Sequence, residues 1–124
     1  MEQLNHITEQ IIGCAIKVHR SLGPGLLEST YEICLVHELV KLGFEVNTQV
    51  HLPVHYDGIN LDAGYRIDML VQNEIVVELK AVDSLHPIHS AQVLSYLKLS
   101  GKKIGLLINF NVKMLKDGVK RLAN

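Results

Sequence analysis

Aromatic residues are scarce in this chain: two phenylalanines, four tyrosines and no tryptophan among 124 residues. That leaves few π-faces for stacking unpaired bases. Cysteine is nearly absent. Cys14 and Cys34 both fall among apolar neighbours in helical patterns, which suits buried free thiols in a reducing cytoplasm better than a disulfide. No apolar run reaches membrane-spanning length, and Met1-Glu2-Gln3 lacks the basic-then-apolar layout of a signal peptide, so the expectation is a cytoplasmic protein with no membrane partner. Repeats, low-complexity segments and linkers are missing, as are a Gly-x-Ser-x-Gly elbow and a Walker-type phosphate loop. A net charge of −1 favours no particular partner.

What is present describes one globular domain over 1–124, with 48% apolar and 20% charged residues. Charge is unevenly distributed. Residues 84–124 hold seven basic residues (Lys98, Lys102, Lys103, Lys113, Lys116, Lys120, Arg121) against Asp117, while the first 83 hold five basic and twelve acidic ones. A basic C-terminal third is compatible with a phosphate-rich partner, and solvated faces explain it nearly as well.

Leu4, Ile7, Ile11, Ala15 and Val18 recur at helical spacing and predict a helix over 4–19. Gly23-Pro24-Gly25 ends that region. It could hold a phosphate on the amides of the next helix, or simply turn the chain. A second helix is predicted over 26–42, with Gly43 at its end. From Phe44 the apolar period becomes two through Tyr56, then continues on odd positions from Leu61 to Val71, predicting a hairpin with a four-residue loop and Tyr56 opposite Leu61. A third strand follows over 75–81, and Pro87 opens a helix to about Leu99. The run 103–110 reads as a central strand parallel to the third, and Val112, Leu115, Val119 and Leu122 suggest a short last helix. The order is ααβββαβα, an α/β sandwich around a mixed sheet.

Asp68, Glu78 and Lys80 interrupt otherwise apolar strands with charge. A two-residue loop at Gln72-Asn73 would throw the two acids to opposite faces. A three-residue loop, Gln72 to Glu74, sets Asp68 opposite Glu78, clusters both with Lys80, and keeps Ile67, Val77 and Leu79 together on the core side. Two carboxylates and a lysine in an apolar sheet suit Mg²⁺ or Mn²⁺ held beside a phosphodiester, where the ion lowers the pKa of a bound water. A charged edge strand or an internal salt bridge fits the same spacing.

The pattern Asp68…Glu78-Leu79-Lys80 resembles the core motif of the PD-(D/E)XK phosphodiesterase superfamily. Gly25-Leu26-Leu27-Glu28-Ser29-Thr30-Tyr31 is similar to the signature of the bacterial GxxExxY family, usually placed in it. The likeness extends through Tyr65-Arg66-Ile67-Asp68, Val77 to Ala81, Gln92-x3-Tyr96-Leu97 and Gly105 to Phe110, with Ile67 standing where the superfamily name carries proline. The resemblance implies a restriction-endonuclease-like core, a mixed sheet flanked by helices. It also implies Asp68, Glu78, the Leu79 carbonyl and Glu28 around Mg²⁺ or Mn²⁺, with Lys80 as the catalytic lysine. Gln92 and Tyr96 match the helix motif beside such a site. With His89 they form a polar stripe opposite Ile88, Ala91 and Leu94, suited to substrate or to solvent. Tyr31 shares the Glu28 face, as a substrate contact or a core tyrosine.

The histidines do not form a zinc pattern. His51 and His55 share a strand face but lie about 13 Å apart at ~3.3 Å per residue. His86 and His89 suit surface or capping roles. The expected function is a metal-dependent nuclease acting on nucleic acid, DNA ahead of RNA, with a homodimer compatible but not required. The rival is a nuclease-fold binding or assembly module with weak or no turnover. Intact acids and lysine favour the enzyme; small size, an acidic N-terminal part and sparse aromatics favour the rival, or an enzyme that needs a partner.

Overall fold

Two helices form first along the chain, each with one apolar stripe. In the computed structural model, which describes residues 1–124, α1 (Glu2–Leu22) buries Ile7, Ile11, Cys14, Ala15 and Val18, and α2 (Glu28–Lys41) buries Tyr31, Leu35 and Leu39. Between them Gly23 and Gly25 take φ of 70° and 98°, a conformation that makes Gly23-Pro24-Gly25 a turn few other residues would tolerate. Both cysteines are free.

The main sheet contains β1 (Val46–His51), β4 (Arg66–Val71), β5 (Ile75–Lys80), β6 (Ile104–Asn109) and β7 (Val119–Ala123), in the order β1-β4-β5-β6-β7. A separate hairpin pairs β2 (Val54–Tyr56) with β3 (Ile59–Leu61). Helix α3 (Pro87–Ser100) crosses from β5 to β6 and makes that pair parallel, as expected; the other pairs are antiparallel. On one face α1 and α2 cover Met69, Val77, Leu79, Leu106 and Ile108. On the other α3 covers Leu70, Val76 and Leu107. A Cβ on Gly105 would stand 2.8 Å from Val93, so glycine in β6 is what lets α3 lie this close. No helix is long and apolar enough to cross a membrane.

Three sequence expectations change. The strand expected from 44 to 56 divides at Leu52-Pro53, and Asp57-Gly58 closes the small hairpin alone, with φ of 48° and 78°. Tyr56 therefore faces Ile59, not Leu61. Set apart from the main sheet, this hairpin leaves Tyr56, Ile59 and Leu61 exposed, so the expected single buried face does not extend through it. The last helix is instead a single 3-10 turn, Leu115–Gly118, running into β7. A side chain at Gly118 would collide with the Asn109 carbonyl, and Val119 and Leu122 pack into opposite cores, which neighbours on one helix face cannot do.

The third change bears on the site. Val46 packs with α1 and α2 but Val50 with α3, although even positions of a regular strand share a face. Gln49 breaks the alternation with φ 51°, and the β1–β4 pairing skips Gln49 and Asp68. Beyond this twist Ile67 joins the α3 core, leaving Val77 and Leu79 in the other.

Candidate active site

The β4–β5 hairpin turns through Gln72, Asn73 and Glu74, with Val71 paired to Ile75 and Met69 to Val77. That is the three-residue loop the apolar pattern selects. Continuing the register sets Asp68 opposite Glu78. Here the backbone ladder stops and side chains take over. The Asp68 N–H donates to Glu78 Oε2 (2.7 Å), and the Leu79 N–H donates to Asp68 Oδ2 (2.9 Å). Each acid uses one carboxylate oxygen to hold the strands at their divergence. The second oxygen of each makes no hydrogen bond in the chain, and no fully buried side-chain oxygen lacks a partner, so neither is sealed away; Asp68 lines the cleft and Glu78 lies behind it.

Glu78 is 4% exposed. Burial first, then the neighbouring Asp68 charge, push its carboxyl up to about 8. Glu28, first residue of α2, reaches the same region: burial and then Asp68 raise it, while Lys80 and a backbone hydrogen bond from Ala81 pull it down. Lys80 forms no salt bridge, yet its charge also bears on Glu78 and on His89. It stands among the acids without being locked to one of them.

Around this rift, Glu28, Ser29, Glu32, Gln49, Asp68 and Leu79 line a cleft of about 200 Å³. From the α3 side, Gln92 Nε2 donates to the Tyr96 hydroxyl (3.1 Å), and burial followed by the Glu78 charge raises the Tyr96 hydroxyl's pKa. In α3, Val93, Tyr96 and Leu97 are buried, whereas Ile88 is 70% exposed. The helix is nearly as apolar outside as inside, so spacing alone could not orient it. This orientation turns Gln92 and Tyr96 toward the sheet. His89 lies half-buried at the start of α3, where its Nδ1 accepts the His86 N–H (3.0 Å), the anticipated capping role.

Tyr31 is not brought to the cleft. It is fully buried, its ring stacks on Phe110 at 4.4 Å, and its hydroxyl donates to the Gly23 carbonyl (2.6 Å) while accepting the Leu26 N–H (3.1 Å). It braces the turn that delivers Glu28. His51 and His55 fall on different strands and engage Arg66 and Asn60, respectively.

Sequence reasoning passed over Glu32, Gln49 and Asn109. Glu32 lies one turn beyond Glu28 and accepts the Gln49 side-chain N–H (3.0 Å). Its spacing of four from Glu28 was the available signal. Asn109, the one polar side chain within an apolar strand, pins the chain just after Lys80: its Oδ1 accepts the Val82 N–H (3.0 Å) and its Nδ2 donates to the Val82 carbonyl (2.9 Å).

No three His, Cys, Asp or Glu side chains are grouped closely enough to hold a metal ion as they stand. The chemistry of the donors nevertheless fits a hard divalent cation: all are oxygens, and the Asp68 charge raises both Glu28 and Glu78, a repulsion that a cation would relieve.

A family model described as the PD-(D/E)XK nuclease superfamily matches residues 5–122. The chain belongs to that superfamily. The five-stranded mixed sheet flanked by helices is accordingly a restriction-endonuclease-like core. Membership in the PD-(D/E)XK superfamily points to a nuclease that acts with divalent metal ions and binds nucleic acid. No curated protein and no solved structure matches the chain.

Proposed function

We propose that this PD-(D/E)XK protein is a divalent-metal-dependent phosphodiesterase cleaving nucleic acid, DNA in preference to RNA, within a single domain of the GxxExxY type. The observation that carries the reading is the reciprocal bonding of Asp68 and Glu78 across the diverging strands. It fixes two carboxylates and leaves one oxygen of each without a hydrogen bond, with Asp68 lining the cleft. Those oxygens would hold Mg²⁺ or Mn²⁺ together with the Leu79 carbonyl, and Glu28 would assist from α2. The ion when bound supplies Lewis-acid stabilisation of the phosphodiester and a water of lowered pKa.

The rest is done by the chain itself. Lys80, free of ion pairs, orients the attacking water and offsets the charge growing on the phosphate oxygens. Gln92 and Tyr96 present an amide and a hydroxyl to the substrate from α3, with His89 at the same end of the helix. Desolvation in the apolar sheet strengthens each of these interactions. Single-domain size makes a homodimer a natural way to cover a duplex.

A second reading keeps the fold and its ligand but not turnover. It is favoured by the absence of a preassembled group of three ligands. Incubation with single- and double-stranded DNA and RNA, in Mg²⁺, Mn²⁺ or chelator, separates the two. Metal-dependent cleavage abolished by chelator supports the enzyme. Binding without cleavage under every metal supports the module.

A further inference from the structure

Three cations converge where no acid answers them. Arg20 stands in the last turn of α1, while Lys113 and Lys116 come from the segment around the 3-10 turn. With Ile16, Pro24 and Met114 they border a second cleft of about 370 Å³, lined by no Asp or Glu. That volume lies toward the lower end of small-ligand sites. None of the three cations forms a salt bridge. The fold fixes their proximity: the His19 Nε2–H donates to the Val112 carbonyl (2.7 Å), and Leu115 is buried between the lysines in sequence.

Holding like charges together costs energy that an anion returns. The carbonyl end of α1 contributes about half a unit of negative charge, too little to offset the positive charge of Arg20, Lys113 and Lys116. A guanidinium fork beside two ammonium groups matches phosphate oxygens. The cleft is linked to the candidate active site through the turn between α1 and α2. Gly23 and Pro24 line it, Glu28 and Ser29 line the carboxylate cleft, and Tyr31 braces the short turn between them.

We infer that this cleft binds a phosphate ester, namely a backbone phosphate of the same strand that is held at Asp68 and Glu78. Choosing a strand over a free nucleotide rests on the function proposed above; the choice of phosphate does not. Two of the seven basic residues in the C-terminal third, Lys113 and Lys116, line this cleft.

The test reads binding, not cleavage. Anisotropy of a labelled DNA duplex of about 20 base pairs, in chelator and across a KCl series, is compared for wild type, Arg20→Ala/Lys113→Ala/Lys116→Ala, and the control Lys98→Ala/Lys102→Ala/Lys103→Ala with the same charge change. The cleft variant is expected to weaken binding about tenfold or more and to flatten the slope of log affinity against log salt by about 1–2, with the control losing less than about threefold. Equal losses in the two variants, or none, overturn the inference. Unchanged thermal midpoints separate lost binding from lost folding. Amide shifts on titration with adenosine monophosphate form the second arm. Saturating shifts at Arg20, Lys113 and Lys116 with duplex binding unaffected would overturn the strand and assign the cleft to a free nucleotide. Wild type that binds the duplex through these residues but never cleaves it leaves the inference standing and removes the nuclease reading.

Discussion

Asp68 and Glu78 exchange roles with the backbone: each carboxylate accepts an amide hydrogen bond from the opposing strand at the point where the β4–β5 ladder opens. The same two side chains are therefore both strand connectors and the candidate metal ligands. Changing them has structural as well as chemical consequences.

Glu78 makes the metal-free protein sensitive to alkali. Its carboxyl is raised from the ordinary 4.5 to about 8 in the folded state, so the native protein holds a proton that the unfolded chain releases. Stability is fully present below about pH 4.5 and is lost as pH rises toward and through about 8. The gap corresponds to about 5 kcal/mol if fully expressed. Chelator-treated wild type should melt at progressively lower temperature between those limits. Glu78→Gln, neutral throughout and still able to accept the Asp68 N–H, should show a much flatter profile. Parallel profiles in differential scanning fluorimetry would remove Glu78 as the source.

Mg²⁺ or Mn²⁺ should reverse that loss. At about a hundred times its dissociation constant, an ion bound only by the folded protein contributes about 2.7 kcal/mol, which for a chain of this size raises the melting temperature by roughly 8–15 °C. The rise should be absent in Asp68→Ala. A metal-induced shift that survives this substitution would place the ion elsewhere.

Tyr31→Phe removes a hydroxyl that satisfies two backbone groups of the turn before α2. A loss of about 1–3 kcal/mol in urea unfolding is expected, with substrate affinity unchanged within about threefold at conditions where the variant is folded. Affinity lost without stability would restore Tyr31 as a substrate contact.

Gly105→Val should destabilise by about 2–4 kcal/mol, because its side chain meets Val93 and Leu97 beneath α3. Displacing α3 also moves Gln92 and Tyr96, so KM should rise in whatever fraction remains folded. Wild-type stability in this variant would mean that α3 does not sit so close.

The core of the fold and the central hairpin were legible because strand parity and burial agree there. Val71, Val77 and Leu79 cannot stay inside unless the loop has three residues, and that loop sets Asp68 against Glu78. Where local signals were degenerate, the reading failed. Val112, Leu115, Val119 and Leu122 all pack inward, but a helical interval coincides with a turn followed by a strand that feeds two cores. Which face of α3 packs inward was not legible, because the helix is nearly as apolar outside as inside. The positive φ at Gln49 left no trace in composition, so neither the twist in β4 nor the Gln49–Glu32 contact could be foreseen. Tyr31 was visible as a residue near Glu28. Its core role emerges only when Phe110, far along the chain, stacks on it.

The most direct test of the central claim is single-turnover cleavage of DNA with Mg²⁺ or Mn²⁺ by wild type, Asp68→Ala and Lys80→Ala, each at protein concentrations that saturate binding. Wild type should cleave, and each substitution should slow the chemical step by about 10²–10⁴-fold, with Lys80→Ala retaining DNA affinity within about threefold. Equal cleavage by all three proteins would contradict the account and remove the Asp68–Glu78–Lys80 rift as the catalytic centre.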